Sequence, residues 1–234
     1  MKTALVIGAG EGIGAALVNH LVDTGEFDHV IAAGRTASTH AHPRVSAVRL
    51  DALAESTSAM RNRLTAISPS IERAFITIGT LSLGPRPEKS VRELDPATAG
   101  GIYAVNAIAP VKAAEVCLPL MRTGYSTLCI LSAQVGSIGD NRSGGWYSYR
   151  MSKAALNMGI RSLALEEARR PRHATVVAVH PGTTLTGLSA GYVAGRVGVA
   201  DPSSTARRLN RFAARCDREL HGLFVNWQGD RLPW

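Results

Sequence analysis

Residues 3–25 read TALVIGAGEGIGAALVNHLVDTG, and this stretch decides the fold. Thr3 to Ile7 form an apolar, β-rich run, as in a strand buried on both faces, and Ile13 to Thr24 carry the apolar spacing of a helix. The glycines between them permit a tight turn and leave the helix N-terminus open to a pyrophosphate. Strand, glycine turn and helix in this order predict a dinucleotide-binding site. The residues expected to face the phosphates are Gly8, Gly10, Glu11, Gly12, Ile13 and Gly14.

The rest of the chain alternates β-rich apolar runs with helical patterns, which is typical of βαβ units that feed a parallel sheet. Strands are predicted near Thr3 to Ile7, Val30 to Ala33, Val45 to Leu50, Ala74 to Ile78, Thr127 to Leu131, Thr175 to Val179 and Leu223 to Asn226. Helices are predicted over Ile13 to Thr24, Ser56 to Ile67, Gly100 to Met121 and Tyr149 to Ala168.

These elements predict an α/β protein with a Rossmann-type doubly wound, mainly parallel seven-stranded sheet and helices on both faces. A single NAD(P)-binding domain is expected over residues 1–234. The segment Thr186 to Pro202 lacks a clear period, and we expect it to form a mobile substrate loop after the sixth strand.

The composition fits such a fold and excludes several function classes. With 234 residues and 45% hydrophobic content, the chain can bury a full core. The net charge of +8 comes from Lys and Arg residues spread along the chain, so we expect a generic basic surface and no nucleic-acid partner. The N-terminus reaches glycine too early for a signal peptide, and no apolar run approaches the ~18 residues of a membrane span. We therefore expect a cytoplasmic protein with no membrane partner.

The cysteines predict neither a disulfide framework nor a metal site. Cys117, Cys129 and Cys216 are odd in number and widely spaced, without a CxxC pair or a nearby histidine pair. We expect three free thiols in or near the core, and no bound metal.

The end of the second predicted strand bears on which nicotinamide cofactor fits. An acidic residue there would bind the ribose 2′-hydroxyl of NAD, but this chain has Arg35, which can pair with the 2′-phosphate of NADP. Glu11 opposes that choice, because a carboxylate in the phosphate loop repels an added phosphate. Asp51, after the third strand, either accepts from the adenine amino group or is a turn aspartate. NADP(H) is the preferred prediction, with NAD(H) as the alternative.

A tyrosine and a lysine four residues apart are the candidate acid/base couple. Tyr149 and Lys153 lie on one face at the start of a predicted helix. A free phenol has a pKa of about 10, and a nearby ammonium lowers that pKa. The same lysine can hold the hydroxyls of the nicotinamide ribose. Alone, this spacing is common on helix surfaces, but here it lies downstream of a dinucleotide turn.

Together these motifs resemble the short-chain dehydrogenase/reductase family over nearly the whole chain. Residues 139–157 (GDNRSGGWYSYRMSKAALN) are similar to its C-factor-like and sniffer-like carbonyl reductase branch. The matching stretches are Gly8 to Gly14, Asp51, Asn106, Leu131-Ser132-Ala133, Tyr149-Ser152-Lys153 and Pro181 to Thr186.

The resemblance implies roles for individual residues. Tyr149 would donate the proton in reduction, Lys153 would anchor the ribose, and Asn106 would hold a proton-relay water. An alternative for Asn106 is structural, since an asparagine inside a helix can bond to the backbone and kink the helix. Further cofactor contacts are implied at Gly79, Pro181, Gly182, Thr184 and Thr186.

Three departures from the family pattern are visible. Ile76-Thr77-Ile78-Gly79 stands where the family has Asn-Asn-Ala-Gly, and Ile7 stands where a threonine precedes the glycine turn. The position of the catalytic serine, three residues before Gly136, holds Ala133. The adenosine-side contacts after the fourth strand must therefore differ or be lost, and the family serine is missing from its usual position.

Two serines are rivals for the missing one. Ser132 comes one residue early, and strand alternation would turn its side chain away from Tyr149 unless the strand has ended or bulged. Ser137 lies just past Gly136. We expect one of them to polarise the carbonyl; the alternative is that no serine serves and Tyr149 binds the oxygen alone.

The sequence thus predicts an NAD(P)(H)-dependent oxidoreductase that interconverts a carbonyl, either aldehyde or ketone, and an alcohol by hydride transfer. The alternative is a weakly active or inactive dinucleotide-binding regulatory or signalling protein of the C-factor type, which Ala133 favours. The resemblance also implies a homodimer or homotetramer formed through the helices at Gly100 to Met121 and Tyr149 to Ala168.

Four further residues carry open questions. Tyr192 and Arg196 are the two candidate substrate contacts in the loop after the sixth strand. His180 is expected to be a hydrogen-bonded histidine at a strand end. Trp234 is expected to cover either a neighbour's cleft or its own core.

Overall fold

The computed structural model describes residues 1–36, 41–121, 126–171, 174–193, 195 and 197–234. Its strands are β1 (Thr3–Ile7), β2 (His29–Gly34), β3 (Val45–Arg49), β4 (Arg73–Ile76), β5 (Thr127–Leu131), β6 (Thr175–His180) and β7 (Phe224–Asn226). Its α-helices are α1 (Gly12–Asp23), α2 (Thr57–Ile67), α3 (Pro96–Tyr103), α4 (Ala109–Cys117), α5 (Tyr147–Glu167), α6 (Ala190–Val193) and α7 (Pro202–Arg215).

The strands form one seven-stranded sheet in the order β3-β2-β1-β4-β5-β6-β7, and every neighbouring pair is parallel. The chain winds outward from β1 in one direction and from β4 in the other, so the connections diverge between these two strands. Such a switch point opens a crevice at the carboxyl ends of the strands, where ligands bind in doubly wound folds. The predicted Rossmann-type fold is confirmed.

Two apolar layers cover the two faces of the sheet. One contains alternate residues of the central strands with the buried faces of α2, α4 and α5. The other contains the remaining strand residues with α1 and α7. β1 and β5 are buried along their whole length, which is why their sequences are apolar without alternation. Cys117 and Cys129 are buried and Cys216 is partly buried, all as free thiols, as predicted.

Helix α7 was missed by the sequence analysis. It begins after Asp201, whose carboxylate accepts a 2.8 Å hydrogen bond from the backbone N–H of Ser204, and it has Pro202 in its first turn. A capping aspartate followed by proline is a helix-start signal that the sequence did contain. The helix packs its apolar face against α1 and the sheet and turns its arginines outward.

The helix predicted over Gly100 to Met121 is not continuous. It begins earlier, at α3, passes through a π-helical turn at Ala104–Ile108, continues as α4 and ends in a 3₁₀ turn at Leu118–Met121. A π-turn inserts one residue into the helical hydrogen-bond ladder and is common where a side chain must be re-aimed. Asn106 lies at the centre of this turn, with its side chain buried.

The segment predicted as a mobile substrate loop, Thr186 to Pro202, contains the short helix α6, and Pro202 begins α7. Its base is fixed, because Leu185 N–H donates to the Ala200 carbonyl at 2.8 Å and Ala200 N–H donates to the Thr183 carbonyl at 2.9 Å. We call residues 186–199 the flap. Its role as a mobile substrate loop stays a prediction.

The run Pro96–Met121 also corrects the statement that no apolar stretch approaches the length of a membrane span. By length and composition alone these 26 residues would pass for one. In the fold, 61% of the most apolar 18-residue stretch of this run is buried. Its apolar residues are those of core helices packed on the sheet.

The glycine turn after β1 gives a direct test of this packing. A Cβ at Gly14 would lie 2.0 Å from the carbonyl oxygen of Gly8 and 2.7 Å from Thr77 Oγ1, whereas a Cβ at Gly100, in α3, would meet nothing within 4 Å. We expect Gly14→Ala to lower the free energy of unfolding by about 1–3 kcal/mol through overpacking. Gly100→Ala should instead raise it by about 0.5–1 kcal/mol. Urea denaturation measures both, and equal effects at the two sites would contradict the close approach of α1 and β1.

Candidate active site

A cavity of about 420 Å³ opens at the carboxyl ends of the central strands, on the switch point between β1 and β4. It runs from the glycine turn after β1, along the ends of β2 and β3, to the start of α5. Its volume is in the range of small-molecule sites. Twelve predicted cofactor contacts line it: Gly8, Gly10, Glu11, Gly12, Ile13, Gly14, Arg35, Asp51, Gly79, Lys153, Pro181 and Thr186.

The glycine turn has the shape that a pyrophosphate requires. Gly8 has a φ of +97°, and its N–H donates to the carbonyl of Ala33 at 2.8 Å, so the turn is held to β2. A Cβ at Gly10 would have only Thr36 Oγ1 nearby, at 3.8 Å, which leaves open space on that side. Helix α1 begins there without a side-chain cap. Its free N–H groups and this space fit a bound phosphate group.

Thr77 fixes the turn from the other side. Its hydroxyl donates to the carbonyl of Gly8 at 2.9 Å, and it lines the cavity. Thr77 is part of the Ile-Thr-Ile-Gly departure, so the altered sequence after β4 still supplies a polar contact to the phosphate turn. Sequence reasoning gave Thr77 no role of its own.

At the adenosine end, Arg35 and Asp51 face the same cavity. Arg35 is exposed, and its guanidinium makes no ion pair with any described residue. Asp51 Oδ1 accepts from the backbone N–H groups of Leu53 and Ala54, at 3.1 and 3.3 Å, which makes it a turn aspartate. Because Asp51 also lines the cavity, both roles predicted for it are compatible.

Tyr149 lies in the first turn of α5, half-buried against the edge of the Trp146 ring, with the two ring centroids 6.2 Å apart. Burial raises the pKa of its phenol to about 12, so the phenol keeps its proton at neutral pH. Lys153 follows one turn later, with Nζ 6.0 Å from the Tyr149 ring centroid. Burial lowers the pKa of this lysine to about 8.

The expected lowering of the phenol pKa by Lys153 does not appear in this structure. The ammonium donates instead to the carbonyl oxygen of Leu131, at the end of β5, at 3.1 Å. Burial is the only cause that shifts either pKa, and it disfavours the charged form of both groups. At neutral pH, Tyr149 is therefore a protonated phenol, and Lys153 is an ammonium whose lowered pKa makes it easier to deprotonate.

Asn106 links three parts of the site. Its Oδ1 accepts from Thr80 N–H at 2.7 Å, and its Nδ2 donates to the Thr80 carbonyl at 2.8 Å and to Ser152 Oγ at 3.0 Å. Ser152 in turn donates to the carbonyl of Tyr149 at 2.8 Å. The side chain is fully buried, and its amide ties the loop after β4 to the helix that carries Tyr149.

Neither rival serine presents a free hydroxyl. β5 ends at Leu131, and Ser132 lines the cavity, but its hydroxyl donates to Asn157 Oδ1 on α5 at 2.6 Å. Ser137 does not line the cavity: its hydroxyl donates to the Trp234 carbonyl at 3.3 Å and accepts from Asp140 N–H at 3.1 Å. The prediction that one of them polarises the carbonyl stays a prediction, and this geometry does not favour it.

Two predicted contacts after β6 point elsewhere. Thr184 is buried and its hydroxyl pairs with that of Thr205 at 2.9 Å, while a Cβ at Gly182 would face the Trp227 ring at 3.3 Å. Neither lines the cavity.

His180 was expected to be hydrogen-bonded, but its Nδ1 is buried without a partner among the described residues. Burial lowers the pKa of this histidine to about 4.

The open questions about the surface residues are partly answered. Tyr192, on α6, packs its ring against Trp146 with centroids 5.4 Å apart, so the flap touches the start of α5. Arg196 lies outside the described residues. Trp234 covers its own chain: its ring stacks on Phe224, and its carbonyl accepts from Gly139 N–H at 2.9 Å.

Sequence reasoning missed four residues that build the site: Thr77, Thr80, Glu88 and Asn157. Thr77 and Thr80 follow β4 at the switch point, which is a positional signal that could have been used. Glu88 and Asn157 carried no such signal, because their partners lie 60 and 25 residues away.

Comparison with known proteins agrees with this geometry. The profile of the short chain dehydrogenase family matches residues 2–196. The 1-hydroxy-2-glutathionyl-2-methyl-3-butene dehydrogenase of Rhodococcus sp. (strain AD45) is 30% identical over the full length of both chains. The C-signal protein of Myxococcus xanthus is 31% identical over 61% of this chain and 82% of its own.

Solved structures show the same fold. The carbonyl reductase Sniffer of D. melanogaster superposes with a TM-score of 0.85 at 22% identity, covering all of both chains. An NADPH-bound carbonyl reductase from chicken fatty liver superposes with a TM-score of 0.83 at 21% identity, covering all of this chain and 99% of its own.

The family profile covers most of the chain, and the residues at the switch point form a dinucleotide cavity with a tyrosine and a lysine at one end. The chain belongs to the short-chain dehydrogenase family and is an NAD(P)-dependent oxidoreductase.

Proposed function

We propose that this enzyme interconverts an aldehyde or ketone and the corresponding alcohol, with NADP(H) as the preferred cofactor. The observation that carries the proposal is the placement of Tyr149 and Lys153 at one end of the cavity that the glycine turn begins. Several structural neighbours are named carbonyl reductases and one relative is named a dehydrogenase, which are the two directions of such a reaction.

The chain's own residues then have defined roles. The bound nicotinamide supplies or receives the hydride. In reduction, the O–H bond of Tyr149 breaks and its proton forms the O–H bond of the product alcohol. Lys153 holds the nicotinamide ribose and, while protonated, stabilises the phenolate left on Tyr149. The high phenol pKa keeps Tyr149 protonated until a carbonyl oxygen receives the proton.

Asn106 is proposed to hold the water that returns a proton to the site. Both protons of its amide nitrogen are already donated, to Thr80 and to Ser152. A water would therefore meet this element at an acceptor, either the second lone pair of Asn106 Oδ1 or a backbone carbonyl of the π-turn at Ala104–Ile108.

The preference for NADP(H) rests on Arg35. Its guanidinium is exposed at the end of β2, lines the cavity and is not engaged by a described carboxylate. Glu11 lies on the same cavity wall, but it is exposed and belongs to the pyrophosphate turn. A 2′-phosphate beside Arg35 would gain a charge-assisted hydrogen bond that a 2′-hydroxyl does not.

The second candidate function is a dinucleotide-binding regulatory or signalling protein with little turnover. It is favoured by Ala133 at the serine position and by the engagement of Ser132 with Asn157. The C-signal relative carries a signalling name, although it is matched over only 61% of this chain.

We further propose that the enzyme acts in the cytoplasm on a small-molecule substrate, as a homodimer or homotetramer. Exposed apolar side chains at the end of α3, in the π-turn and on α5 support the oligomer: Tyr103, Ile108, Met151, Met158 and Leu165.

Replacing Tyr149 by Phe tests the reaction. The proton donor is lost while the ring that packs on Trp146 is kept, so NADPH oxidation with a panel of aldehydes and ketones should fall by about 10²–10⁴-fold. NADPH affinity, followed by nicotinamide fluorescence, should stay within a few fold. Tyr147→Phe, two residues earlier in the same helical turn, is the matched control and should remain active. Unchanged turnover in Tyr149→Phe would contradict the mechanism.

Cofactor choice is tested by titrating the protein with NADPH and, separately, NADH. NADPH should bind more tightly, and Arg35→Ala should weaken its binding about tenfold or more while leaving NADH nearly unaffected. Arg92→Ala, at an exposed site outside the cavity, changes net charge equally and should leave both affinities unchanged. If both variants weaken NADPH binding equally, Arg35 acts only through the net charge of the protein and not through a contact with the 2′-phosphate.

The serine question is tested by restoring the family residue. Ala133 is half-buried with extended φ and ψ of −143° and 140°, so a serine fits its backbone. If Tyr149 alone binds the oxygen, Ala133→Ser should raise kcat on the order of 10²-fold, the usual contribution of such a donor. Ser132→Ala should then change kcat only a few fold. A neutral Ala133→Ser together with a 10²-fold loss in Ser132→Ala would identify Ser132 as the polarising group.

A further inference from the structure

Glu88 is a buried carboxylate that the reaction does not use. It lies in the loop between β4 and α3, its residue is 7% exposed, and it does not line the cavity. No cation among the described residues pairs with it. A buried carboxylate needs hydrogen-bond donors. Both of its oxygens receive them from Ser148, in the first turn of α5: the backbone N–H donates to Oε2 at 3.3 Å and the hydroxyl donates to Oε1.

Helix α5 has no cap of its own. Trp146, at the N-cap position, makes no capping hydrogen bond with its side chain, and the first turn contains no acidic residue. The N–H groups of a helix N-terminus need acceptors and favour negative charge nearby. The Glu88 carboxylate supplies both from 60 residues earlier in the chain.

Glu88 also fixes the residue from which the helix starts. Trp146 has a φ of +52°, an uncommon conformation for a bulky side chain. Its N–H donates to the main-chain carbonyl of Glu88 at 2.6 Å. The Trp146 ring lies against both Tyr149 and the flap residue Tyr192. Through Trp146, Glu88 is therefore linked to both α5 and the flap.

Hydrogen bonds join the loop after β4 to α5 on both sides of Tyr149. The loop after β4 is tied at Thr80 to Asn106, Asn106 is tied to Ser152, and Ser152 is tied to the Tyr149 carbonyl. Eight residues after Thr80 the same loop returns to α5 through Glu88. Tyr149 therefore lies between two anchors of one loop, on a helix turn that would otherwise be free to fray.

We propose that Glu88 is a positioning residue for the reaction: it caps α5 from the loop after β4 and holds Tyr149 and Trp146 at the substrate end of the cavity. The proposal rests on the proposed role of Tyr149. It differs from a general contribution to folding, because its effect should fall on turnover and leave the cofactor end of the cavity intact.

Glu88→Gln is the test variant, since it keeps the size of the side chain but has only one oxygen for the two donors of Ser148. We expect kcat with an aldehyde that the wild type reduces to fall at least tenfold, with NADPH affinity within twofold. Glu93→Gln is the matched control: Glu93 lies in the same loop, and its carboxylate pairs with Arg86 and accepts from Lys89 N–H. It should keep wild-type kcat.

Ser148→Ala supplies the second readout. If Ser148 and Glu88 act through their mutual hydrogen bonds, kcat of the double variant Glu88→Gln with Ser148→Ala should fall no further than kcat of the more affected single variant. Multiplicative losses would overturn the proposal, as would a fall in NADPH affinity parallel to kcat, or equal losses in Glu88→Gln and Glu93→Gln.

The proposal and the reaction it rests on fail in different ways. If Tyr149→Phe is inactive and Glu88→Gln keeps full kcat, only the role of Glu88 is wrong. If Tyr149→Phe keeps its turnover, the proposed reaction mechanism itself fails. Should no aldehyde be reduced by the wild type, hydrogen exchange decides: amides of residues 147–152 should exchange faster in Glu88→Gln than in Glu93→Gln, and equal protection would overturn the proposal.

Discussion

The buried amide of Asn106 is the contact on which the active site depends. It satisfies both backbone groups of Thr80 and reaches Ser152, so the strand end, the π-turn and α5 are joined by one side chain. A buried amide without hydrogen-bond partners would be strongly unfavourable. The three elements are therefore restricted to the arrangement in which all the hydrogen bonds of the Asn106 amide form. The π-turn is the backbone change that brings Asn106 to this position.

Burial, rather than mutual attraction, sets the electrostatics of the catalytic couple. The pKa of Tyr149 rises to about 12 and that of Lys153 falls to about 8, and in both cases desolvation is the cause. Such opposite shifts favour the neutral form of each group, so the site holds a phenol that donates a proton only when a substrate oxygen is placed to accept it. The hydrogen bond from Lys153 to the Leu131 carbonyl holds the amine at the end of β5.

The departures from the family pattern have structural compensations of different kinds. Thr77, which replaces an asparagine, donates to the Gly8 carbonyl and preserves the phosphate turn. At Ala133 the family serine is absent, and the hydroxyl of the neighbouring Ser132 donates to Asn157. The enzyme and regulator hypotheses therefore diverge at the substrate end of the cavity, where the family serine is absent.

The sequence alone determined the doubly wound fold, the glycine turn and the pairing of Tyr149 with Lys153, because each depends on local spacing: period, turn residues and an i, i+4 relation. Tertiary structure decided the rest. The break in the Gly100 to Met121 helix, the partner of Ser132 and the cap that Glu88 places on α5 all arise from contacts between residues far apart in the chain. The direction of the Tyr149 pKa shift was likewise set by burial, which no local pattern contains.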